Sequence, residues 1–389
     1  VVKEGELKAK VNKQVEQQRQ KLINLSLKIH ANPELAFKEE KASKWLTSYL
    51  AKNGFQIEKG TGGLPTAFKA SYGSNEPVIA LLAEYDALPE IGHACGHNII
   101  AASAVGAAVA SKCVVDICGG TVVVFGTPAE ELFGGKVLML EAGVFDGVDA
   151  AMIVHPGIRN AATTEALACI GLDVQFLGKA VHAAAYPERG VNALEAMILA
   201  FNALNSLRQH IKDRARIHGI ITHGGEAANV VPAYSAATFL VRATDNNYLE
   251  ELKQKVLKCF EGASVATGAR LDYRWGEVVY APMKNNMVLA KLFSRNMESL
   301  GHRVEPFESH FGFGSTDMGN ISQVIPAIHP SVAIVSPDVL LHSSDFALAA
   351  ASGSGQEALL DAAKALAMTV ADLLSEPKVL ARVKDEFPG

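Results

Sequence analysis

The sequence predicts an α/β protein of two parts: a mixed, largely parallel sheet covered by helices, interrupted by a self-contained β-α-β-β-α-β unit. Three observations carry this. Short apolar runs that end abruptly in acids or histidine alternate with helix-like stretches between Pro77 and His155, the pattern of buried strands joined by crossover helices. The texture changes near Cys169 and returns after Pro282. A length of 389 residues also exceeds the roughly 100 to 200 residues that one core supports. The expected division is a discontinuous parent domain, 1–168 and 282–389, around an inserted domain, 169–281.

Residues 8–30 place Val11, Val15, Leu22, Leu25 and Leu27 at helical spacing among Lys, Gln and Glu, an amphipathic helix with one buried face. Pro33 breaks the pattern, a second helix runs from about Glu39 to Lys52, and Gly54 closes it. Strands are expected at Val78 to Ala83 before Glu84-Tyr85-Asp86, at Thr121 to Phe125 before Glu130-Glu131, and at Ala150 to Val154 before His155. Ligands of open α/β sheets bind beyond the carboxyl ends of the strands, so three consecutive ends bearing acid or histidine point to a site. Between the first two, Ile99 to Ser111 is about 13 residues of mostly Ala and Val, a buried helix too short for the roughly 20 residues of a membrane span. Gly60-Thr61-Gly62-Gly63 lacks the Gly-Lys-Ser/Thr ending of a phosphate loop and reads as a hairpin or flexible loop.

The inserted part reads as strand 170–176, helix 192–212, strands 217–222 and 235–242, helix 248–267 and strand 271–275, a ferredoxin-like order. After it come a strand at Ser331 to Val335 and an Ala-rich helix from about Gln356 to Leu374. Hydrophobic residues make up 49% and charged residues 20%, which excludes disorder. The net charge is −5, with Lys and Arg spread along the chain, so no footprint for nucleic acid or an anionic membrane is present and small-molecule chemistry is expected. Five cysteines at irregular spacing are not a disulfide framework, and a reducing, cytoplasmic setting is expected.

The densest set of metal-capable side chains is His93-Ala94-Cys95-Gly96-His97-Asn98, where Gly96 permits the sharp turn that brings a cysteine and a histidine to one ion. In Gly126-Thr127-Pro128-Ala129-Glu130-Glu131, neighbouring carboxylates diverge, so one can hold a metal while the other handles a water proton. His155 follows a strand, and His342 lies in Leu340-Leu341-His342-Ser343-Ser344-Asp345-Phe346. Each histidine alone is more often structural than ligating. Together, Cys95, His97, Glu131, His155 and His342, with Glu130 as base, make the parts of a metal hydrolase.

These motifs in this order resemble the co-catalytic metal amidohydrolases of the aminoacylase and carboxypeptidase type over nearly the whole chain. The Cys-Gly-His form is similar to the branch of auxin-conjugate hydrolases, p-aminobenzoyl-glutamate hydrolases and Xaa-Arg dipeptidase-like proteins, and Asn98 points to the last two. Gly178-Lys179-Ala180-Val181-His182-Ala183-Ala184-Ala185-Tyr186-Pro187, Gly224-Gly225 before Asn229-Val230-Val231-Pro232, and Gly314-Ser315-Thr316-Asp317-Met318-Gly319-Asn320 agree with that branch. The resemblance implies a phosphorylase/hydrolase-like catalytic domain with an inserted lid and dimerisation domain.

It further implies one or two divalent ions, zinc foremost with manganese, cobalt or nickel admissible. Cys95 would be shared, His97 and His155 would complete one site, and Glu131 and His342 the other. Glu130 would be the general base. Asp86 would orient a ligand, since the His-x-Asp of many relatives reads Glu84-Tyr85-Asp86 here. His182 would donate to the oxyanion in the site of a partner protomer, implying a homodimer. Asn229 matches a substrate-contacting position, and Ser315, Thr316 and Asp317 sit on a glycine-flanked loop expected to line the pocket. Arg242 can meet a substrate carboxylate or make a structural salt bridge. The expected activity is hydrolysis of a C–N amide in a small carboxylate-bearing substrate: a dipeptide, an N-acyl amino acid or an aminobenzoyl-glutamate-like conjugate. Hydrolytic deamination of an aromatic or heterocyclic amine is the enzymatic rival, and a non-catalytic binding subunit the third reading.

Overall fold

The computed structural model describes residues 4–305 and 314–387. They form two compact units, one of residues 4–165, 283–305 and 316–387, the other of 166–282 with 314–315. The short return segment belongs to the second unit because Leu167 N donates to Gly314 O (2.9 Å) and Arg242 Nη1 to Ser315 Oγ (2.7 Å). The strands are β1 (Gln56–Lys59), β2 (Phe68–Gly73), β3 (Val78–Glu84), β4 (Thr121–Thr127), β5 (Ala150–Met152), β6 (His155–Gly157), β7 (Ala168–Leu177), β8 (Arg216–His223), β9 (Tyr234–Ala243), β10 (Arg270–Tyr280), β11 (Ala327–Ile328) and β12 (Ser331–Ala333).

In the first unit the sheet runs β1-β2-β4-β3-β5-β11. β4, β3, β5 and β11 are parallel, and β1 and β2 are added antiparallel at one edge, so the sheet is mixed as the sequence predicts. The Gly60–Gly63 run makes the turn of the β1–β2 hairpin. Those two strands escape the sequence reading because β1 (QIEK) alternates weakly and is mostly exposed. β3 (VIALLAE), buried along nearly its whole length, is the continuous apolar run of a strand covered on both faces.

The helix His97–Cys118 is apolar on all sides because it is covered on all sides. It packs on β3 and β4 and against the helices Glu4–His30 and Gly353–Ser375. Its length and hydropathy would allow a membrane crossing, yet most of it is core. One expected strand is in fact two: the run to Val154 stops at Met152, and His155 opens β6, which pairs in parallel with β12. The break follows from His155 N donating to Pro330 O (2.8 Å), which commits this segment to a two-stranded sheet of its own.

The second unit is an antiparallel sheet, β10-β7-β9-β8. The helices Ala193–Leu207 and Asn246–Thr267 are capped by the side chains of Asn192 and Asp245, and share one core with the inward residues of the sheet, Ile170, Leu172, Val174, Phe239 and Val241 among them. This is the ferredoxin-like arrangement. The first helix stops at Leu207 rather than near Lys212, where a 3₁₀ turn (Arg208–His210) begins and Arg208 turns to donate to Ile217 O.

β4 delivers the Glu130-Glu131 turn, and its end depends on Gly126. Gly126 pairs with Phe68 of β2, and a Cβ there would lie 2.0 Å from the Phe68 ring. The ring is fully buried and cannot swing away. Gly126→Ala should therefore lower the unfolding free energy by about 1–3 kcal/mol, the usual cost of overpacking, as measured by denaturant titration.

Candidate metal centre

Beyond the carboxyl ends of β3 and β4 the chain gathers its metal-capable side chains. Gly96, at φ 76°, turns the chain into the helix that begins at His97. A Cβ at Gly96 would stand 2.5 Å from Pro156 Cγ, so only glycine lets Cys95 and His97 flank this turn beside β6. Ala129 (φ 60°) starts the one-turn helix Glu130–Phe133, and His342 (φ 59°) is also left-handed, its amide donating to Ala94 O at 3.1 Å.

The structure brings together three groups of ligand atoms, each within 4.8 Å: Cys95 with His97 and His155, Cys95 with Glu131 and His342, and His97 with Glu130 and Glu131. Two of them share the Cys95 sulfur. Cys95 Sγ lies 3.3 Å from His155 Nε2, and His342 Nε2 lies 3.6 Å from Glu131 Oε1. His97 Nδ1 donates to Asp86 Oδ1 (2.9 Å) and lies 3.0 Å from Asp86 O; His155 Nδ1 donates to Pro156 O (2.6 Å). Both rings thus hold a proton on Nδ1 and turn Nε2, the atom that would ligate a cation, to the cluster. Asp86 Oδ2 also accepts from Glu131 N (3.0 Å), so this carboxylate fixes one histidine and the backbone of a neighbouring glutamate.

The donor set fits divalent cations. His97 Nε2 and Glu131 Oε1 are buried without a hydrogen-bond partner among the described residues, a state that costs roughly 1–3 kcal/mol per group unless something else satisfies them. Burial, and then Glu131, push the Cys95 thiol well above its usual range; burial and the charges of Glu84 and Glu131 do the same to Glu130. Burial opposes charge on His97 too, but Asp86 and Cys95 overcome it and raise the ring well above the usual histidine value. Burial pulls His155 down to about 4. Thiolate, imidazole and carboxylate together are the ligands of zinc and its first-row neighbours.

Lys136 and His329 escape the sequence reading, and Glu84 enters it only as a strand end. Lys136 is completely buried, its Nζ 2.6 Å from both Glu84 Oε1 and Asp317 Oδ1, while its amide donates to Asp317 Oδ2 at 2.9 Å. The available signal is a lone charge in front of the apolar run Val137 to Leu140, just after two glycines. Glu84 Oε2 stands 3.5 Å from His97 Nε2. His329, buried at the end of β11, meets His155 edge to face with ring centroids 5.5 Å apart. Ile328-His329-Pro330 repeats the apolar-His-Pro pattern of Val154-His155-Pro156.

In the loop expected to line the pocket, two of the three residues are buried. Asp317 is fully buried and committed to Lys136, and Thr316 is nearly buried with its hydroxyl accepting from Met318 N. Ser315 Oγ, in the second unit, accepts from Arg242, whose Nε lies 3.4 Å from His218 Nε2. Among the described residues of its unit, Arg242 is thus held by a hydroxyl and an imidazole rather than by the carboxylate of a structural salt bridge. His182 and Asn229 also lie in that unit, on segments joined by a bridge between His182 and Val230 and by Ala183 N donating to Asn229 O (2.9 Å). His182 is exposed, and its Nδ1 accepts from Ala184 N and Ala185 N at 3.3 and 3.2 Å. Its proton is thereby left on Nε2.

Residues 168–267 match the peptidase dimerisation domain of the M20 family. The chain is 38% identical to the Xaa-Arg dipeptidase of Mus musculus over 98% of this chain and 92% of that protein. The chain belongs to the M20 family of metal-dependent amidohydrolases and peptidases. It is also 36% identical to one of the two kinds of chain in the p-aminobenzoyl-glutamate hydrolase of Escherichia coli K12, over 70% of this chain and 61% of that one. A dinuclear metal-binding M20 peptidase from Bacillus subtilis shares the fold, with a TM-score of 0.71 and 22% identity, over 92% of this chain and 99% of that one.

Two expectations follow from the geometry. Asp86→Asn keeps the shape but weakens the hold on His97, and should cost about 10- to 100-fold in metal affinity, read by calorimetric titration of the metal-free protein. Glu39, buried, accepts from Phe37 N (2.9 Å) and Ala129 N (3.0 Å) through Oε1 and from Thr66 Oγ1 (2.9 Å) through Oε2. Burial raises its carboxyl from 4.5 to about 7. Below 4.5 both folded and unfolded chains hold the proton, and between 4.5 and about 7 only the folded chain does, so this group makes stability fall as pH rises through that window. Glu39→Gln can keep both amide bonds through its carbonyl and donate to Thr66. Melting temperatures measured in excess chelator should show the variant gaining on the wild type as pH rises from 4.5 to about 7.

Proposed function

We propose that this M20 enzyme hydrolyses the amide bond of a small substrate with a free carboxylate, a dipeptide in the first instance, and acts as a homodimer. Divalent ions, zinc foremost, would be held by Cys95 with His97 and His155 on one side and by Cys95 with Glu131 and His342 on the other. The observation that carries this reading is the single thiol common to two ligand groups, with Glu130 Oε2 4.0 Å from His97 Nε2. Bound there, the ions supply Lewis acidity that brings the pKa of a water toward neutrality.

Glu130 is positioned to take the proton from the attacking water and return it to the departing nitrogen. Its neighbour Glu131 is held by Asp86 through the backbone, which keeps the two carboxylates in separate roles. His182 is the donor for the oxyanion: with Nδ1 occupied by two backbone amides, Nε2–H is free to give a hydrogen bond. Arg242 and Asn229 recognise the carboxylate-bearing half of the substrate. The 38% identity to a dipeptidase over nearly the whole chain supports peptide-bond cleavage over ring deamination.

Glu130→Gln should reduce turnover of a dipeptide and N-acyl-amino-acid panel by at least about 10²-fold while metal content stays at the wild-type level. Turnover by the variant at the wild-type rate, or release of ammonia in place of an amino acid, would sink this reading.

A further inference from the structure

Phe37 and Phe133 are an aromatic pair that the core does not use. Their ring centroids are 5.5 Å apart at 35°. Among the described residues neither ring belongs to a hydrophobic cluster, and Phe133 is 50% exposed. Phe133 ends the one-turn helix that begins at Glu130, three residues from the general base in sequence. Leu340 and Leu341, directly before the ligand candidate His342, are exposed as well.

The backbone holds this pair at a cost. Phe37 (φ 61°) and Ala129 (φ 60°) are both left-handed without being glycine, each a strain of order 1–3 kcal/mol. One buried oxygen, Glu39 Oε1, accepts from both amides. A single carboxylate thus locks the loop that carries Phe37 to the turn that carries Glu130 and Phe133. Such shared strain at a site indicates that the relative placement of the rings and the base matters.

We propose that the Phe37–Phe133 pair is the acyl-side subsite, taking a flat aromatic or bulky apolar group attached to the scissile carbonyl. The assignment rests on the amide-hydrolase reading and deepens it. The carboxylate-bearing half of the substrate is excluded from this wall by Glu130 and Glu131, and by the commitment of Lys136 to Glu84 and Asp317. A half-exposed ring offset from its neighbour is instead a surface for a third ring to stack on.

The test compares N-benzoyl and N-acetyl derivatives of one amino acid with the metal-loaded enzyme. In Phe37→Ala and Phe133→Ala the benzoyl-to-acetyl ratio of kcat/KM should fall about tenfold, the worth of one aromatic contact, mostly in KM, and Phe133→Trp should retain it. A ratio within twofold of the wild type in both alanine variants overturns the assignment; if Phe133→Ala does not fold, Phe37→Ala decides. Calorimetric binding of the same two compounds to metal-loaded Glu130→Gln, with and without Phe37→Ala, separates the two readings. A Phe37-dependent benzoyl preference in binding, with no turnover of either compound or of a dipeptide by the wild type, removes the hydrolase reading and leaves the pair as a binding wall for the aromatic group. Turnover with no such preference removes the subsite alone.

Discussion

The centre is organised by an excess of buried negative charge. Glu84, Asp86, Glu130, Glu131 and Asp317 are all buried or nearly so, and beside them sits the Cys95 thiol. Lys136 is the ammonium set among them, 2.6 Å from both Glu84 and Asp317. Burial raises the Glu84 carboxyl, but Lys136 and the nearby His97 lower it to about 2; at Asp317 burial and the charge of Glu84 outweigh the same lysine, and the carboxyl stands at about 6. An unpaired buried charge costs several kcal/mol, and burial accordingly pushes Glu130 and Cys95 toward their neutral forms while neighbouring charge raises His97 toward its cation. Divalent ions bound by the ligand groups of this cluster would be the complement, and because an unfolded chain has no such site, their binding would be coupled to folding.

The sheet meets this demand by where its strands stop. β3 ends at Glu84, two residues before Asp86, and β4 ends three residues before Glu130. Their parallel register pairs Glu84 with Thr127, which puts both loops on one edge of the sheet. Local backbone does the rest: left-handed Gly96, Ala129 and His342 turn the chain so that residues distant in sequence converge. Strain at Ala129 is tolerated because Glu39 holds its amide, and at His342 because Ala94 O does. The rigidity of the core beneath, a helix covered on all sides, keeps these loops in place.

What is legible in the sequence is what local chemistry encodes. Cys95-Gly96-His97, the paired glutamates and the abrupt ends of apolar strands each report on a few adjacent residues, and the inserted ferredoxin-like unit reads cleanly because its two helices and four strands keep their periods. Pairings made across the fold leave no period. Lys136 lies 52 residues from Glu84 and 181 from Asp317 in sequence, so nothing local says that a lysine is buried there. The same blindness hides the burial of Asp317 against Lys136, since Ser315-Thr316-Asp317 on a glycine-flanked loop has the composition of an exposed turn. His155 reads as the end of the wrong strand because an apolar run cannot show where a chain leaves one sheet for another.

The division into two units separates two kinds of hydrogen-bonding task. In the first, imidazoles hold a proton on Nδ1, pinned by Asp86 and Pro156, and turn Nε2 inward, as cation ligands must. In the second, His182 has the opposite tautomer: its Nδ1 accepts from two amides, and the proton is left on Nε2. A donor histidine among the ligands would compete with a cation for the same lone pairs, and a ligand histidine cannot stabilise an oxyanion. With the two tautomers in separate units, each fixed by its own hydrogen bonds, one residue type could serve as ligand in the first and as donor in the second without either role weakening the other.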